Sequence, residues 1–264
     1  MANPVVRLPV LESGFGRTLR RDAWWAGPAA TFVVLSAFLV YATFRAFEND
    51  FFHYGPYLSP FYSPYVPIAG LPFLTPAMLI LPGPASFRLT CYYYRKAYYR
   101  SFAMDPPACA VGERNAHRYN GETKLLLFQN LHRYALYVAI VFLVFLWHDF
   151  VLSLVWPAPI GTAGVDEPVS RFGVGLGSLV LLANCTFLTL YTFSCHSWRH
   201  LIGGGVNSFS TAPLGRLRHT LWSGVSKLNA HHMLFAWVSL FGVALTDLYV
   251  RMVASGAIHD IRFF

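Results

Sequence analysis

The chain has 264 residues, of which 55% are hydrophobic, 17% aromatic and only 12% charged, with a formal net charge of +8. That composition excludes an ordinary soluble domain and leaves an integral membrane protein. The positive charge calls for no nucleic-acid partner, because basic cytoplasmic loops facing anionic lipid headgroups account for it.

Arg17, Arg20 and Arg21 stand immediately before an apolar stretch too long for a signal-peptide core, so residues 1–25 read as a cytoplasmic tail. Five apolar segments follow, at 27–46, 66–92, 125–147, 172–198 and 228–253. Each is near the ~20 residues that cross a bilayer as helix. The expected fold is an all-α bundle of five transmembrane helices, one membrane domain over residues 1–264. Pro67, Pro72, Pro76, Pro82 and Pro84 imply kinks or a partly unwound start in the second segment. The loop at 50–65 holds seven Phe or Tyr and three prolines, an aromatic belt or an interfacial lid. The loop at 93–124 is long enough to dock a cytoplasmic partner, whereas no loop is long enough for a soluble catalytic domain.

Orientation follows from lysine and arginine. The tail (Arg7, Arg17, Arg20, Arg21), the second-to-third loop (Arg95, Lys96, Arg100, Arg114, Arg118, Lys124) and the fourth-to-fifth loop (Arg199, Arg216, Arg218, Lys227) hold fourteen. The opposite side holds Arg45, Arg171, Arg251 and Arg262. The N-terminus is therefore expected in the cytoplasm and the C-terminus outside.

The four cysteines do not form a disulfide framework, since Cys91, Cys185 and Cys195 fall within spans and Cys109 in a cytoplasmic loop. Cys91 and Cys195 each precede an arginine by four residues, which puts both ~6 Å inside their helix ends at 1.5 Å per residue. His232 follows Lys227 by five residues and His132 follows Lys124 by eight, for depths of roughly 8 and 12 Å. Two sulfurs and two imidazoles from four helices then share one layer of the inner leaflet. Thiolate on one metal and imidazole on the other is the ligand pattern of a Rieske-type [2Fe-2S] centre; a tetrahedral zinc takes the same donors but carries no electrons.

Polar and small residues recur at helical spacing on the fifth segment (Asn229, His232, Ala236, Ser239, Val243, Thr246), which turns His232 inward and disfavours His231. On the fourth, Ser178, Cys185, Thr189, Thr192, His196 and Arg199 form a similar stripe, leaving Cys195 about 100° away. His196 and His231 are therefore alternate ligands. Arg88, Arg133 and Asp247 are intramembrane charges that must face the bundle interior. Arg88 and Arg133, with Tyr93, Trp198 and Trp222, are candidates for the periphery of a cofactor or a quinone pocket.

The segments SFRLTCYYYRKAYYRSF (86–102), LHRYALY (131–137), CHSWRHLIGG (195–204) and NAHHMLFAWVSLFGVALTDLYVRMVASGAIHD (229–260) resemble the single-chain, five-helix membrane anchor of actinobacterial succinate dehydrogenase. The resemblance runs from the first helix to the C-terminus. It implies a bacterial plasma-membrane subunit that works with a flavoprotein and an iron-sulfur subunit and passes electrons to quinone, without itself oxidising succinate. In the mycobacterial branch it implies a membrane-embedded Rieske-type cluster in place of haem. The better-known five-helix anchors hold two b haems on four histidines from four helices. Here the first span has no histidine before His53 and the second has none, so one inner haem is the stronger form of that alternative. His196 with His200, and the His231–His232 pair, faintly resemble the boxes of membrane di-iron hydroxylases, but the HxxHH those enzymes need is missing.

Overall fold

The computed structural model describes residues 14–67, 73–114, 130–157 and 170–264. Arg7, Pro72, Arg118, Lys124 and the first five residues of the segment expected at 125–147 lie outside them.

Helix α1 spans Ala26–Glu48. A short hairpin pairs β1 (His53–Tyr54) with β2 (Tyr57–Leu58), and a 3₁₀ turn covers Pro60–Tyr62. Next come α2 (Pro76–Ile80), α3 (Pro82–Thr90) and α4 (Tyr92–Tyr98), the last running into a π turn at Tyr99–Ala103. Helix α5 is His132–Leu152, and a second hairpin pairs β3 (Val155–Pro157) with β4 (Ser170–Phe172). Helix α6 (Leu176–Phe193) leads into α7 (His196–Arg199) and a π turn at His200–Gly204. Helices α8 (Gly215–Asn229) and α9 (His232–Ala254) complete the chain. Among the described residues, α1, α5, α6 and α9 are long and apolar enough to cross a membrane. In the bundle α6 packs between α5 and α9, and α5 packs against α3.

Three differences from the sequence expectation have physical causes. The segment at 66–92 is not one helix. Its helical part begins at Thr75, whose hydroxyl caps Met78 N and bonds the Ala46 carbonyl at 2.5 Å. Pro82 and Pro84 then follow without amide hydrogens to donate, and the chain turns extended at Cys91. The segment at 172–198 starts later, at Leu176, because Phe172 belongs to β4, and it breaks at Ser194 and Cys195. The segment at 228–253 is preceded by a separate helix, α8, with the leucines at 214, 217 and 221 exposed along one side beside Arg216. Gly203 lets the second π turn lie against α8, since a Cβ there would stand 2.4 Å from the Arg218 carbonyl oxygen.

The loop at 50–65 folds into the bundle as a plug, with Tyr57, Phe61 and Tyr62 buried. Tyr57 donates to Asp260 at 2.8 Å, while Asp260 also accepts from Tyr249 (2.6 Å) and from the Gly177 amide at the start of α6 (3.0 Å). Burial, and the neighbouring Asp260 carboxylate, push the Tyr57 phenol well above its ordinary value, so it remains a neutral donor.

A second tie is ionic. Asp247 and Arg251, one turn apart on α9 and both buried, pair at 2.9 Å. Asp247 also accepts from Tyr41 of α1 (2.6 Å) and from Ser59 of the plug, and Arg251 reaches Glu48 at 2.8 Å. Asp247 thus faces the interior, as the cost of a charge in hydrocarbon requires. Removing the Asp247 carboxylate breaks a buried pair and leaves Arg251 with Glu48 alone, at a cost of up to about 3–5 kcal/mol. Asp247→Asn should therefore lower stability by that order in a denaturant titration in mixed micelles. A loss under about 1 kcal/mol, the range of exposed pairs, would mean the pair is effectively solvated.

Candidate metal and electron-transfer site

Two short stretches of backbone share one design. In each, a helix ends at a hydroxyl residue and a cysteine follows in extended conformation: Thr90 then Cys91 after α3, and Ser194 then Cys195 after α6. Each cysteine is the N-cap of a short helix that loosens into a π turn. The Cys195 sulfur accepts from Trp198 N at 3.2 Å, and the amides of Tyr93 and Tyr94 face the Cys91 sulfur. Amides at a helix N-terminus are oriented to stabilise negative charge on a sulfur ligand.

The hydroxyl residues serve the histidines. Thr90 Oγ1 lies 2.9 Å from His132 Nδ1, and Ser194 Oγ lies 2.7 Å from His232 Nδ1. With Nδ1 occupied in both rings, Nε2 is the nitrogen left to ligate. His232 Nε2 is 3.3 Å from Cys91 Sγ. His132 stacks on Phe87 (4.7 Å between ring centroids) and His232 on Tyr191 (5.1 Å). Phe87, Cys91, Tyr94, Tyr191, Cys195 and Ala236 form one buried cluster.

The four sequence-predicted ligands therefore come to one level, but for a different reason than counting from charges. His132 and His232 are the first residues of α5 and α9, and the cysteines follow the last turns of α3 and α6. The layer is made of helix ends. Lys227 lies on α8, so the rise from Lys227 to His232 does not measure depth in one helix. Cys195 is buried and His196 exposed, the reverse of the helical-stripe reading, because that reading assumed an unbroken helix through Ser194. His231 is also exposed, next to the Lys227 carbonyl at 3.2 Å.

The predicted periphery divides. Arg88 is inside the bundle, donating to Tyr94 OH (2.9 Å), the Ala236 carbonyl (3.2 Å) and Ser239 Oγ (3.0 Å). Its guanidinium lies 4.7 Å from the centroid of the Tyr191 ring. Arg133 does not face the bundle interior: it is exposed and meets His200 Nδ1 at 2.7 Å, since the residue next to an inward His132 on a helix turns outward. Tyr93 accepts from Trp237 Nε1 at 2.5 Å, and it borders a cleft of about 390 Å³ with Trp24, Lys96 and Arg100. Trp198 packs on the buried cluster, while Trp222 lies under Arg199, apart from it. Thr90, Ser194 and Tyr191 were not singled out from sequence, although a hydroxyl residue directly before each cysteine is a signal that could have found the first two.

A larger, mostly apolar cavity of about 420 Å³ reaches from Phe61 of the plug to Phe87, Arg88 and Tyr191. Among the described residues no group of three or more His, Cys, Asp or Glu side chains converges to hold a single ion. A Rieske-type centre asks each iron for only two protein ligands, and two N-cap cysteines with two Nδ1-anchored histidines match that donor set in kind.

The family model for the actinobacterial succinate dehydrogenase subunit SdhC matches residues 26–256. A chain in the solved structure described as the Mycobacterium smegmatis Sdh1 complex in the apo form is 42% identical to this one, with a TM-score of 0.82. The match covers 99% of this chain and 98% of that one. No curated protein sequence matches this chain. With the family model covering most of its length, and with several helices apolar enough to span a bilayer, the chain belongs to the actinobacterial SdhC family and is a multi-pass membrane subunit of bacterial succinate dehydrogenase.

Proposed function

We propose that this chain is the anchor and electron-transfer subunit of a succinate:quinone oxidoreductase. A flavoprotein oxidises succinate, an iron-sulfur subunit docks on the cytoplasmic face, and electrons cross this chain to quinone. The asymmetry of fourteen basic residues against four supports the N-terminus inside and the C-terminus outside. The kinked α2–α3 unit supports counting a fifth crossing beside the four long helices.

The observation that carries the proposal is the pairing of each cysteine with an anchored histidine. The hydroxyl residue before Cys91 orients His132, and the one before Cys195 orients His232. We assign Cys91 and Cys195 to one iron and His132 and His232 to the other iron of a Rieske-type [2Fe-2S] cluster. Such a cluster supplies a one-electron carrier with a potential raised by its imidazole ligands, suited to a weak reductant such as succinate. This chain's residues hold the site dry, direct amides at the sulfurs and fix both imidazole tautomers. Tyr93 and Trp198, beside the cluster of buried side chains, are the proposed quinone-side rings; Arg133 and Trp222 are peripheral to it.

A b haem on the same histidines is the second reading. The two buried cysteines in the same cluster of side chains favour the cluster over it, since a haem held by two imidazoles takes no thiolate.

Replacing His132 and His232 with Ala should abolish quinone reduction and leave succinate oxidation toward an artificial acceptor intact; full quinone activity in that variant would sink the ligand assignment. Thr90→Val and Ser194→Ala each remove a hydrogen bond that orients a ligand, and loss of such partners typically costs 10–100-fold in metal affinity. Iron and acid-labile sulfide per complex should fall in both variants, and unchanged content would show that the hydroxyls do not support ligands.

A further inference from the structure

Arg88 and Arg251, both inside the bundle, are treated in opposite ways. Arg251 is matched by carboxylates, Asp247 at 2.9 Å and Glu48 at 2.8 Å. Arg88 has no carboxylate partner among the described residues. Its hydrogen bonds go to neutral acceptors, the Tyr94 hydroxyl, the Ala236 carbonyl and Ser239 Oγ, and its remaining neighbours include the ring faces of Tyr191 and Tyr94. A fixed cation inside a membrane protein is costly and is commonly found paired or lining a functional path. This one borders the apolar cavity on one side and stands three residues before Cys91 on the other.

Tyr191 links the cation to the proposed ligands. Its ring lies under the Arg88 guanidinium and stacks on His232, with 17° between the planes, and its hydroxyl faces the Cys91 sulfur. Arg88 is thus held within about one ring of both kinds of ligand. With two thiolate ligands an oxidised [2Fe-2S] centre has no net charge, and each electron it accepts makes it anionic. In a low-dielectric surrounding, the attraction between that charge and a nearby cation is many times its value in water.

We infer that Arg88 is the fixed counter-charge for the electron that arrives at the Cys91–His232 site, raising the potential of that site without taking up a proton. One electron enters from the reduced iron-sulfur partner and the same electron leaves to quinone. Quinone takes two electrons and two protons in all, and the protons come from elsewhere, since Arg88 keeps its own. The inference rests on the metal reading above.

The test is a redox titration of the intact complex followed by electron paramagnetic resonance. The signal to follow is the one that Cys91→Ser and His232→Ala both remove. Arg88→Gln should make the reduced-to-oxidised ratio at fixed ambient potential at least tenfold smaller, a midpoint lower by 59 mV or more for a one-electron couple. Arg88→Lys keeps the charge and should shift it less. Ser239→Asp leaves Arg88 in place but sets a carboxylate beside it, and should lower the midpoint in the same direction, which keeps the test alive if Arg88→Gln does not assemble. An unchanged midpoint in the assembled Arg88→Gln or Ser239→Asp complex would overturn the counter-charge role, as would an equal drop in Arg88→Lys. A wild-type complex with no signal sensitive to Cys91 and His232 would instead overturn the metal reading itself.

Discussion

Backbone amides and carbonyls have no water to turn to inside a bilayer, so a helix can break there only where the protein supplies replacement partners. The site of this protein depends on two such breaks. At Cys91 and at Ser194–Cys195 the chain leaves its helix and a new one starts at once, with Arg95 N on the Cys91 carbonyl at 2.9 Å and Arg199 N on the Cys195 carbonyl at 3.1 Å, while Asn229 Nδ2 donates to the Ser194 carbonyl at 2.7 Å. The breaks are what place a thiol at the N-terminus of a new helix, with amide dipoles aimed at sulfur. An unbroken helix through Ser194 would have set Cys195 about 100° from the inward stripe.

The rest of the fold serves to hold those helix ends level. On the side opposite the site, the plug at 50–65 is fastened through Asp247 and Arg251 to α9 and through Asp260 to the start of α6. Since α6 and α9 also carry Cys195 and His232 near their other ends, this fastening fixes the relative height of two proposed ligands at a distance. Interior charge is divided accordingly. The outer network is neutralised pair by pair and is structural, whereas Arg88 keeps its charge beside the site, where an arriving electron gives it something to balance.

Much of this was legible in the sequence. Composition separates the membrane segments, and the four ligand candidates do come to one layer, because apolar length and the position of basic loops fix which helix ends share a side. The interruptions were not legible. Pro82 and Pro84 announce a kink, but Cys91 and Ser194 break their helices with no proline or glycine at the break. At the first of these, Thr90 bonds back to the Ser86 carbonyl at 2.7 Å, a local competition that hydropathy does not register. The same blindness reversed Cys195 and His196, since helical spacing predicts facing only while the helix continues. Tyr191 escaped notice as one aromatic among many, and its position between Arg88, His232 and Cys91 is a tertiary fact.

The claim that these helix ends hold an iron-sulfur electron carrier is met most directly by a dithionite-reduced minus air-oxidised optical spectrum of the intact complex, recorded for the wild type and for Cys91→Ala. Broad, weak bleaching without narrow α or Soret bands, and smaller in the variant, is the expected result. Narrow α and Soret bands would identify b haem and return His132 and His232 to axial ligation, and identical spectra from the two complexes would leave Cys91 without a metal to bind.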